Sequence, residues 1–543
     1  MHNRPDDCYA AIRSRDRRFD GVFFVAVRST RIYCRPVCPA RTPRRDRCRF
    51  FATAAAAEVA GFRPCLRCRP ELAPGNAPMD AVALSAGAAV ARLRAEATRG
   101  VHGGGRRGRP GRIGAGGPVG TVAAQLGCSE RHLRRIVARE LGVTPVELIQ
   151  SSRLLAAKQL LTETALPITT IAFAAGFASL RRFNALFLER YRMAPTSLRR
   201  AANSAPARRA LRGSVPPGAA TLRLTLAYRP PLAWTELLSF LKAHRIPGVE
   251  RVDENSYIRT VAINGRRGWC RVTHDQPRHR LCVEISDALA PVAAAVLVRI
   301  RALFDLDARP DIIDLHLGRD PRLADEVKRH PGLRVPGAFD GFELVWRTIL
   351  GQQVSVRAAT TISGRLAASF GEPLHGDALD IGGASWFKTA LTAASTHLST
   401  ADVPPRNATA ERDGLDYFTP TVDRLALATE EELQRVGLTR SRARTLHAFA
   451  ALMRSSRVAL EPGVPLDAVA PELRRSFGIG PWTIDYLAMR ALRCPDAFPS
   501  TDLILARAIG ATCSKDVDRT TATWRPWRAY AAMHLWRASK GNP

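Results

Sequence analysis

Residues 34–38 read Cys34-Arg35-Pro36-Val37-Cys38, and after a gap of 26 residues comes Cys65-Leu66-Arg67-Cys68. Two close cysteine pairs separated by a long loop are the spacing of a closed tetrahedral zinc site, so Zn²⁺ is the expected cofactor. Arg31, Arg35, Arg41, Arg44, Arg45, Arg47, Arg49, Arg63, Arg67 and Arg69 surround the cysteines. A zinc thiolate cluster in a positive field points to a phosphate-bearing partner. A zinc-bound sulfur stays a thiolate, and a thiolate is a nucleophile. The spacing alone is equally consistent with a zinc that only holds the segment folded.

The charge balance extends this reading. The chain has 543 residues, with 81 Lys+Arg against 49 Asp+Glu and a net charge of +32. Its length predicts three or four domains. Residues 1–213 hold 38 basic against 14 acidic side chains, and residues 214–543 hold 43 against 35. The strongest polyanion contact is therefore expected in the first part. Arg and Ala abound while Lys is rare. A high-GC coding bias also produces that pattern, so charge alone does not decide for nucleic acid. No apolar run reaches the length of a membrane span, and the N-terminus lacks the apolar core of a signal peptide. Cysteines outside the two pairs are scattered, which suits a reducing cytoplasm rather than a disulfide scaffold. A cytoplasmic, nucleoid-associated, monomeric protein is expected.

Residues 76–118, Gly- and Arg-rich from 99 onward, and residues 201–219, rich in Ala, Pro and Arg, read as linkers. Residues 119–200 between them read as two helix-turn-helix units joined by one helix. In the first, Val122 and Leu126 precede Gly127, and Ser129 caps a helix carrying Leu133, Ile136, Val137 and Leu141. In the second, Ile168, Ile171 and Ala172 precede Gly176, and Ser179 opens a helix with Phe183, Leu186 and Phe187 on one face. The duplication favours a DNA reader over a plain bundle, because two recognition helices joined this way lie about one turn of DNA apart. From residue 220 the period changes to two. Residues 222–226, 257–263, 269–273 and 281–285 alternate and predict antiparallel strands. From about Pro291 the chain turns mostly helical. The fold class is multidomain α+β. It comprises a small zinc α/β domain (1–75), an all-α double helix-turn-helix (119–200), an antiparallel β/α domain (220–305) and a mostly α domain (306–540). The last is interrupted by a segment of mixed composition at 376–416.

Residues 477–485 read Phe-Gly-Ile-Gly-Pro-Trp-Thr-Ile-Asp, a helix-hairpin-helix signature. Gly478 and Gly480 let the backbone approach a DNA phosphate, and the helix opening at Pro481 offers its N–H groups to it. Such turns also end ordinary helices. About twenty residues on, Asp502 is the carboxylate of the stretch Phe498–Leu505 and stands at a helix start. There a dipole contact is the plain alternative to a chemical role.

Three family resemblances sharpen these readings. Residues 5–72, through Tyr33–Arg41, Phe50-Phe51 and Ala60–Cys68, resemble the N-terminal domain of the adaptive-response (Ada) DNA repair proteins. This implies that Cys34, Cys38, Cys65 and Cys68 bind zinc, and that Cys34 accepts a methyl group from a methylphosphotriester in DNA. Cys48 matches no ligand position. Residues 119–200, through Ile171–Phe177, Phe183 and Pro195, resemble the arabinose-regulator (AraC) type of DNA-binding domain. This implies that Arg131, His132, Arg134 and Arg135, and then Ser179, Arg181 and Arg182, face promoter DNA, with RNA polymerase as a further partner. That family usually has a full helix leading into the first unit, where this chain has the Gly/Arg-rich run.

Residues 221–540, apart from 376–416, resemble the helix-hairpin-helix DNA glycosylases, and among them the AlkA-type 3-methyladenine DNA glycosylase II. The likeness is carried by Arg301–Leu306, Phe342–Val356, the 477–485 hairpin, Asp502, Trp524–Tyr530 and His534–Trp536. It implies double-stranded DNA with alkylated purines as substrate and Asp502 as the catalytic carboxylate. It also implies a base pocket of Phe240, Trp482, Tyr486 and Trp536, with Gln353 in the gap left by a flipped base. Core packing is the plain alternative for each of these aromatics, Phe240 above all. Lytic members carry lysine where Trp482 stands, so Schiff-base chemistry is not expected. No Pro-Cys-His-Arg motif occurs, so a guanine-dealkylating domain is not expected either.

The resulting expectation is DNA alkylation repair. Alkylated purines are released by hydrolysis, and methyl transfer to Cys34 is coupled to transcriptional activation. The competing reading is a transcriptional regulator whose C-terminal half is a non-catalytic DNA clamp. The presence of Asp502 argues against it.

Overall fold

The structure is a computed structural model and describes residues 4–75, 84–97, 117–203, 221–374, 414–455 and 458–540. Among the described residues, no helix is long and apolar enough to cross a membrane. The mixed multidomain α/β architecture is the expected one.

The first unit contains helix α1 (Pro5–Ser14), strands β1 (Phe24–Val27), β2 (Ile32–Cys34) and β3 (Cys48–Phe51), helix α2 (Ala54–Val59) and the short β4 (Arg63–Pro64). The sheet order is β3-β1-β2-β4. Its core is aromatic, with Phe24 edge-on to Tyr33 at 5.7 Å. Strands β2 and β4 are parallel, with Tyr33 opposite Pro64. Each cysteine pair begins one residue beyond that paired position, so the topology sets both pairs at one end of the sheet.

The helical block follows the predicted double unit. Helices α4 (Pro118–Gln125) and α5 (Glu130–Leu141) form the first, α6 (Pro145–Glu163) joins, α7 (Ile168–Ala174) and α8 (Leu180–Tyr191) form the second, and α9 (Pro195–Asn203) closes it. Ser129 and Ser179 cap α5 and α8 by accepting the amides of His132 and Arg182. Thr144 and Glu147 form a capping box at the start of α6. The stretch 76–118 is not linker throughout, because it contains helix α3 (Leu84–Ala97). Val90, Leu93 and Ala97 of α3 share a core with Val122, Leu133, Val137 and Leu148. The first unit is thus led in by a helix after all, on the N-terminal side of the Gly/Arg-rich run. That run (98–116), the linker stretch 204–219 and most of the 376–416 segment lie outside the described residues.

The third unit is a five-stranded antiparallel sheet, ordered β5-β9-β8-β7-β6. Its strands are β5 (Thr221–Ala227), β6 (Glu250–Val252), β7 (Ser256–Ile263), β8 (Arg266–Asp275) and β9 (Arg280–Ser286). A helix, Trp234–Ala243, crosses between β5 and β6. The helix Ala293–Leu303 packs against this sheet, and the helices from Pro310 onward pack around Trp346, Leu446, Phe449 and Leu487.

Buried charges join the units. The Glu71 side chain is fully enclosed. It pairs with Lys158 of α6, itself 1% exposed, and accepts from Arg69 Nε at 3.0 Å. Arg69 also pairs with Glu163 of α6 at 2.9 Å. Burial raises the Glu71 carboxyl, but Lys158 and Arg69 outweigh it and hold the group below its ordinary range. Glu163 accepts the Thr225 amide at 3.1 Å, and Gln159 donates to the Thr225 carbonyl at 2.8 Å. α6 thereby satisfies the open edge of β5. On the other side Arg229, fully buried, donates to the carbonyls of Asp20, Gly75 and Asp307 at 2.8–2.9 Å.

Removing one member of a buried ion pair leaves its partner uncompensated, at a cost of about 3–5 kcal/mol. Lys158→Met alone should lower the thermal midpoint of the full chain and speed hydrogen exchange along α6. Adding Glu71→Gln to Lys158→Met should recover most of the loss. A single variant as stable as wild type would show that the pair does not hold the units together.

Candidate active site and metal centre

The Sγ atoms of Cys34, Cys38, Cys65 and Cys68 all lie within 4.8 Å of one another, the one such group among the described residues. A tetrahedral zinc with Zn–S near 2.3 Å sets its sulfurs about 3.8 Å apart, so the donor set fits the ion. The backbone brings the pairs together, since the Cys65 amide donates to the Tyr33 carbonyl at 2.9 Å. The Arg35 amide donates to Cys68 Sγ at 3.3 Å. Cys65 and Cys68 are buried, whereas Cys34 and Cys38 are partly accessible. Cys48 lies in β3 outside the cluster, its thiol on the Arg44 carbonyl at 3.2 Å.

Not all the neighbouring arginines form a free positive field. Arg31, Arg41, Arg44, Arg47, Arg49 and Arg67 are exposed. Arg35 instead turns inward to Asp20, with Nε–Oδ1 at 2.8 Å, and Arg69 belongs to the junction described above. In the helical block Arg131, Arg134 and Arg135 of α5 and Arg181 and Arg182 of α8 are all exposed. Arg134 bonds Glu130 at 3.1 Å, and Arg135 bonds His132 at 3.1 Å.

In the C-terminal unit five predicted residues meet at one cavity of about 730 Å³: Phe240, Trp482, Tyr486, Asp502 and Trp536. Asp502 is the N-cap of the helix Leu503–Ala508, its Oδ1 accepting the amides of Ile504 (3.0 Å) and Leu505 (2.9 Å). Two indoles complete its surroundings. Trp482 Nε1 donates to Oδ2 at 2.9 Å and Trp536 Nε1 to Oδ1 at 3.3 Å. Both the capping role and a pocket position hold for this one side chain. Trp482 stacks on Tyr486 at 4.9 Å and 11°, and Tyr486 meets Trp536 edge-on at 6.3 Å.

The hairpin before this helix pair requires glycine at one of its two positions. Gly478 has φ +73°, and a Cβ there would lie 2.1 Å from Thr445 Oγ1. Gly480 is extended and a Cβ would meet nothing, so its side of the turn stays open. The Gly478 carbonyl accepts from Gln352 Nε2 at 3.0 Å. Gln353 beside it is exposed, with φ +54°, and projects from the turn between the helices Gly341–Leu350 and Val356–Phe370.

Sequence reading missed two members of the site, Arg490 and His244, and a partly buried carboxylate behind it, Asp485. Arg490 is buried and binds Tyr486 Oη at 2.6 Å, with its guanidinium 4.9 Å from the Phe240 ring centre. His244 lines the cavity. Asp485 is pushed up to about 6 by burial and accepts the Ser500 amide, two residues before Asp502. The hairpin motif contains Asp485, but only the fold shows what it holds.

Comparisons with known proteins place these units in order. The chain matches the metal-binding domain of Ada over residues 7–71, a helix-turn-helix domain over 122–201, the AlkA N-terminal domain over 223–340 and the HhH-GPD superfamily of base excision DNA repair proteins over 346–521. It is 31% identical to DNA-3-methyladenine glycosylase 2 of Escherichia coli, over 59% of this chain and 98% of that protein. It is 48% identical to the bifunctional transcriptional activator/DNA repair enzyme Ada of Escherichia coli, over 12% of this chain and 19% of that one. Against the probable bifunctional transcriptional activator/DNA repair enzyme AlkA of Mycobacterium tuberculosis, identity is 36% over 99% of this chain and 97% of the relative. With all four units present in one order and a relative matched from end to end, the chain belongs to the family of bifunctional transcriptional activator/DNA repair enzymes of the AlkA type.

Proposed function

We propose that this protein repairs alkylated DNA by two chemistries, N-glycosidic hydrolysis at Asp502 and methyl acceptance at Cys34, and that it binds double-stranded DNA for both. The observation that carries the first is the Asp502 carboxylate, held by two indole N–H groups at a cavity walled by aromatic rings.

An alkylated purine is a cation and leaves without much acid assistance. The site must take the nucleotide out of the stack and stabilise a sugar that gains oxocarbenium character. Asp502 supplies negative charge for that and can orient the attacking water. Trp482, Tyr486 and Trp536 hold the cationic base by stacking and cation–π attraction, about 0.5–2 kcal/mol per contact. Gly478, Gly480 and the N-terminus of the helix Pro481–Arg490 hold a phosphate. Gln353 enters the gap the base leaves. A non-catalytic clamp would have no use for a carboxylate fixed by four donors at the cavity.

At the other end, bound zinc keeps its cysteine ligands as thiolates at neutral pH. Cys34 is one of the two partly accessible cysteines of the cluster. Its sulfur bonds the methyl carbon of a methylphosphotriester as the carbon–oxygen bond breaks, and the electron pair stays on the phosphate oxygen. The product is a thioether and an anionic diester. The site loses one negative charge, which lowers repulsion of DNA by about 1 kcal/mol at ~4 Å in water. Arg131, Arg134, Arg135, Arg181 and Arg182 then contact promoter DNA through the two helix-turn-helix units.

Purified protein should release free base from methylated duplex DNA, and Asp502→Asn should slow release by at least ~10²-fold. Asn keeps the cap through its oxygen but sets its NH2 against the Trp482 indole N–H, so that variant should lose about 1 kcal/mol from this one contact, and Asp502→Ala, which loses the cap as well, should lose more. Full activity in Asp502→Asn, or a borohydride-trapped covalent adduct, would contradict the mechanism. Metal analysis should find one zinc per chain, and its removal should unfold the first unit; intact folding of residues 4–75 without metal would count against it. Peptide mass spectrometry after incubation with methylphosphotriester DNA should place a single methyl on Cys34. The methylated full chain should bind duplex DNA roughly tenfold more tightly at low salt. Equal affinities would remove the switch while leaving repair intact.

A further inference from the structure

We propose that His244 selects between cationic and neutral purines, acting as the proton donor to a neutral base as it leaves. This rests on the reading of the aromatic cavity as the base pocket and deepens it.

His244 follows the helix Trp234–Ala243 as its C-cap and lines the same cavity as Asp502, Trp482 and Tyr486. Its ring lies on Phe240, with centres 4.2 Å apart and planes 23° apart. The Arg490 guanidinium is 4.9 Å from that same Phe240 ring. With two neighbours on it, Phe240 has little face left for a base, and the imidazole is the ring this wall offers. His244 Nδ1 is 2.8 Å from the Phe240 carbonyl oxygen. A carbonyl only accepts, so Nδ1 carries hydrogen in both charge states, and the proton that comes and goes is on Nε2.

The charged groups of the cavity that His244 lines are mixed. Glu236 of its own helix, Arg347 from the helix Gly341–Leu350, Arg490, Asp502 and Arg537 line the cavity. Glu236 is paired with His330 at 3.1 Å and with Arg537 at 3.6 Å. Arg347 is paired with Glu250 and Glu343 at 3.2 and 3.1 Å, and it donates to the His244 carbonyl. Arg245 directly follows His244 in the chain, and Lys242 lies two residues before it.

The chemistry divides by substrate charge. A cationic alkylated purine takes the bonding electrons and becomes neutral, so it needs no acid. A neutral purine would leave as an anion unless it is protonated. For that substrate the C1′–N9 bond breaks with its electron pair going to the base, and the imidazolium gives its Nε2 proton to a ring nitrogen of the base. Water forms the new C1′–O bond, and Asp502 takes the proton that water loses. Solvent then reprotonates His244. The same imidazolium repels a base that is already cationic. Lower pH should therefore favour the neutral base twice over.

The test uses the full chain and duplex oligonucleotides carrying one 7-methylguanine or one hypoxanthine, with single-turnover release measured from pH 5 to 8. For wild type, the hypoxanthine-to-7-methylguanine rate ratio should rise at least about tenfold between pH 8 and pH 6. His244→Gln, which keeps hydrogen bonding, and His244→Phe, which keeps stacking, should both flatten that rise. Release of 7-methylguanine with a pH-independent wild-type ratio, or a rise that survives in both variants, overturns the role of His244 alone. Release of neither base overturns the pocket assignment and this inference together.

Discussion

The enclosed pair of Glu71 and Lys158, braced by Arg69 and Glu163, is the constraint on which the arrangement of this protein depends. A charge taken out of water is tolerated only beside a well-placed opposite charge. Here one carboxylate comes from the thiolate unit and its ammonium partner from α6, so neither unit can move away without exposing the other to that cost. The same helix continues to Gln159 and Glu163, which satisfy the edge of β5. Arg69 follows Cys68 directly, and Arg35 follows Cys34. Both arginines are spent on buried partners. The cysteine cluster, the helix that joins the two helix-turn-helix units and the first strand of the β/α unit therefore form one packed neighbourhood.

The cavity in the C-terminal unit depends on a second economy, in which one side chain satisfies two demands. Asp502 ends the orphan amides of a helix start, a local need, and the geometry of that cap points its second oxygen at Trp482. Trp482 in turn stacks on Tyr486. The negative charge and the aromatic platform are thereby tied together by the 2.9 Å hydrogen bond between Trp482 and Asp502. The two alternatives for Asp502 open at the level of sequence, helix cap or chemical group, are not exclusive in the folded protein.

Much of this was legible in the chain itself, and for local reasons. Cysteine spacing reports a metal site because ligand geometry restricts it. Ser129 and Ser179 mark helix starts because capping is a contact within three residues. The alternation in 222–226 and 281–285 reports strands because side chains of a strand point to opposite faces. Asp502 and the Gly478–Gly480 turn are likewise short-range signals. For these the sequence is sufficient, since the interacting groups are neighbours along the backbone.

What only the tertiary structure decided involves partners far apart in the chain. Helix α3 is Ala-rich and stands beside a Gly/Arg-rich run, so composition hid it; its identity comes from packing on α4, α5 and α6. Arg35 and Arg69 read as members of a positive field, yet acidic partners at Asp20, Glu71 and Glu163 bury them. Phe240 lines the cavity, but the imidazole lying on it and the Arg490 beside it were invisible in the sequence. His244 and Arg490 carry no motif, and nothing in their local sequence says that a helix near the β-sheet will close the wall opened by a hairpin some 240 residues later. Local physics chose the elements; long-range burial and charge pairing chose which side chains meet.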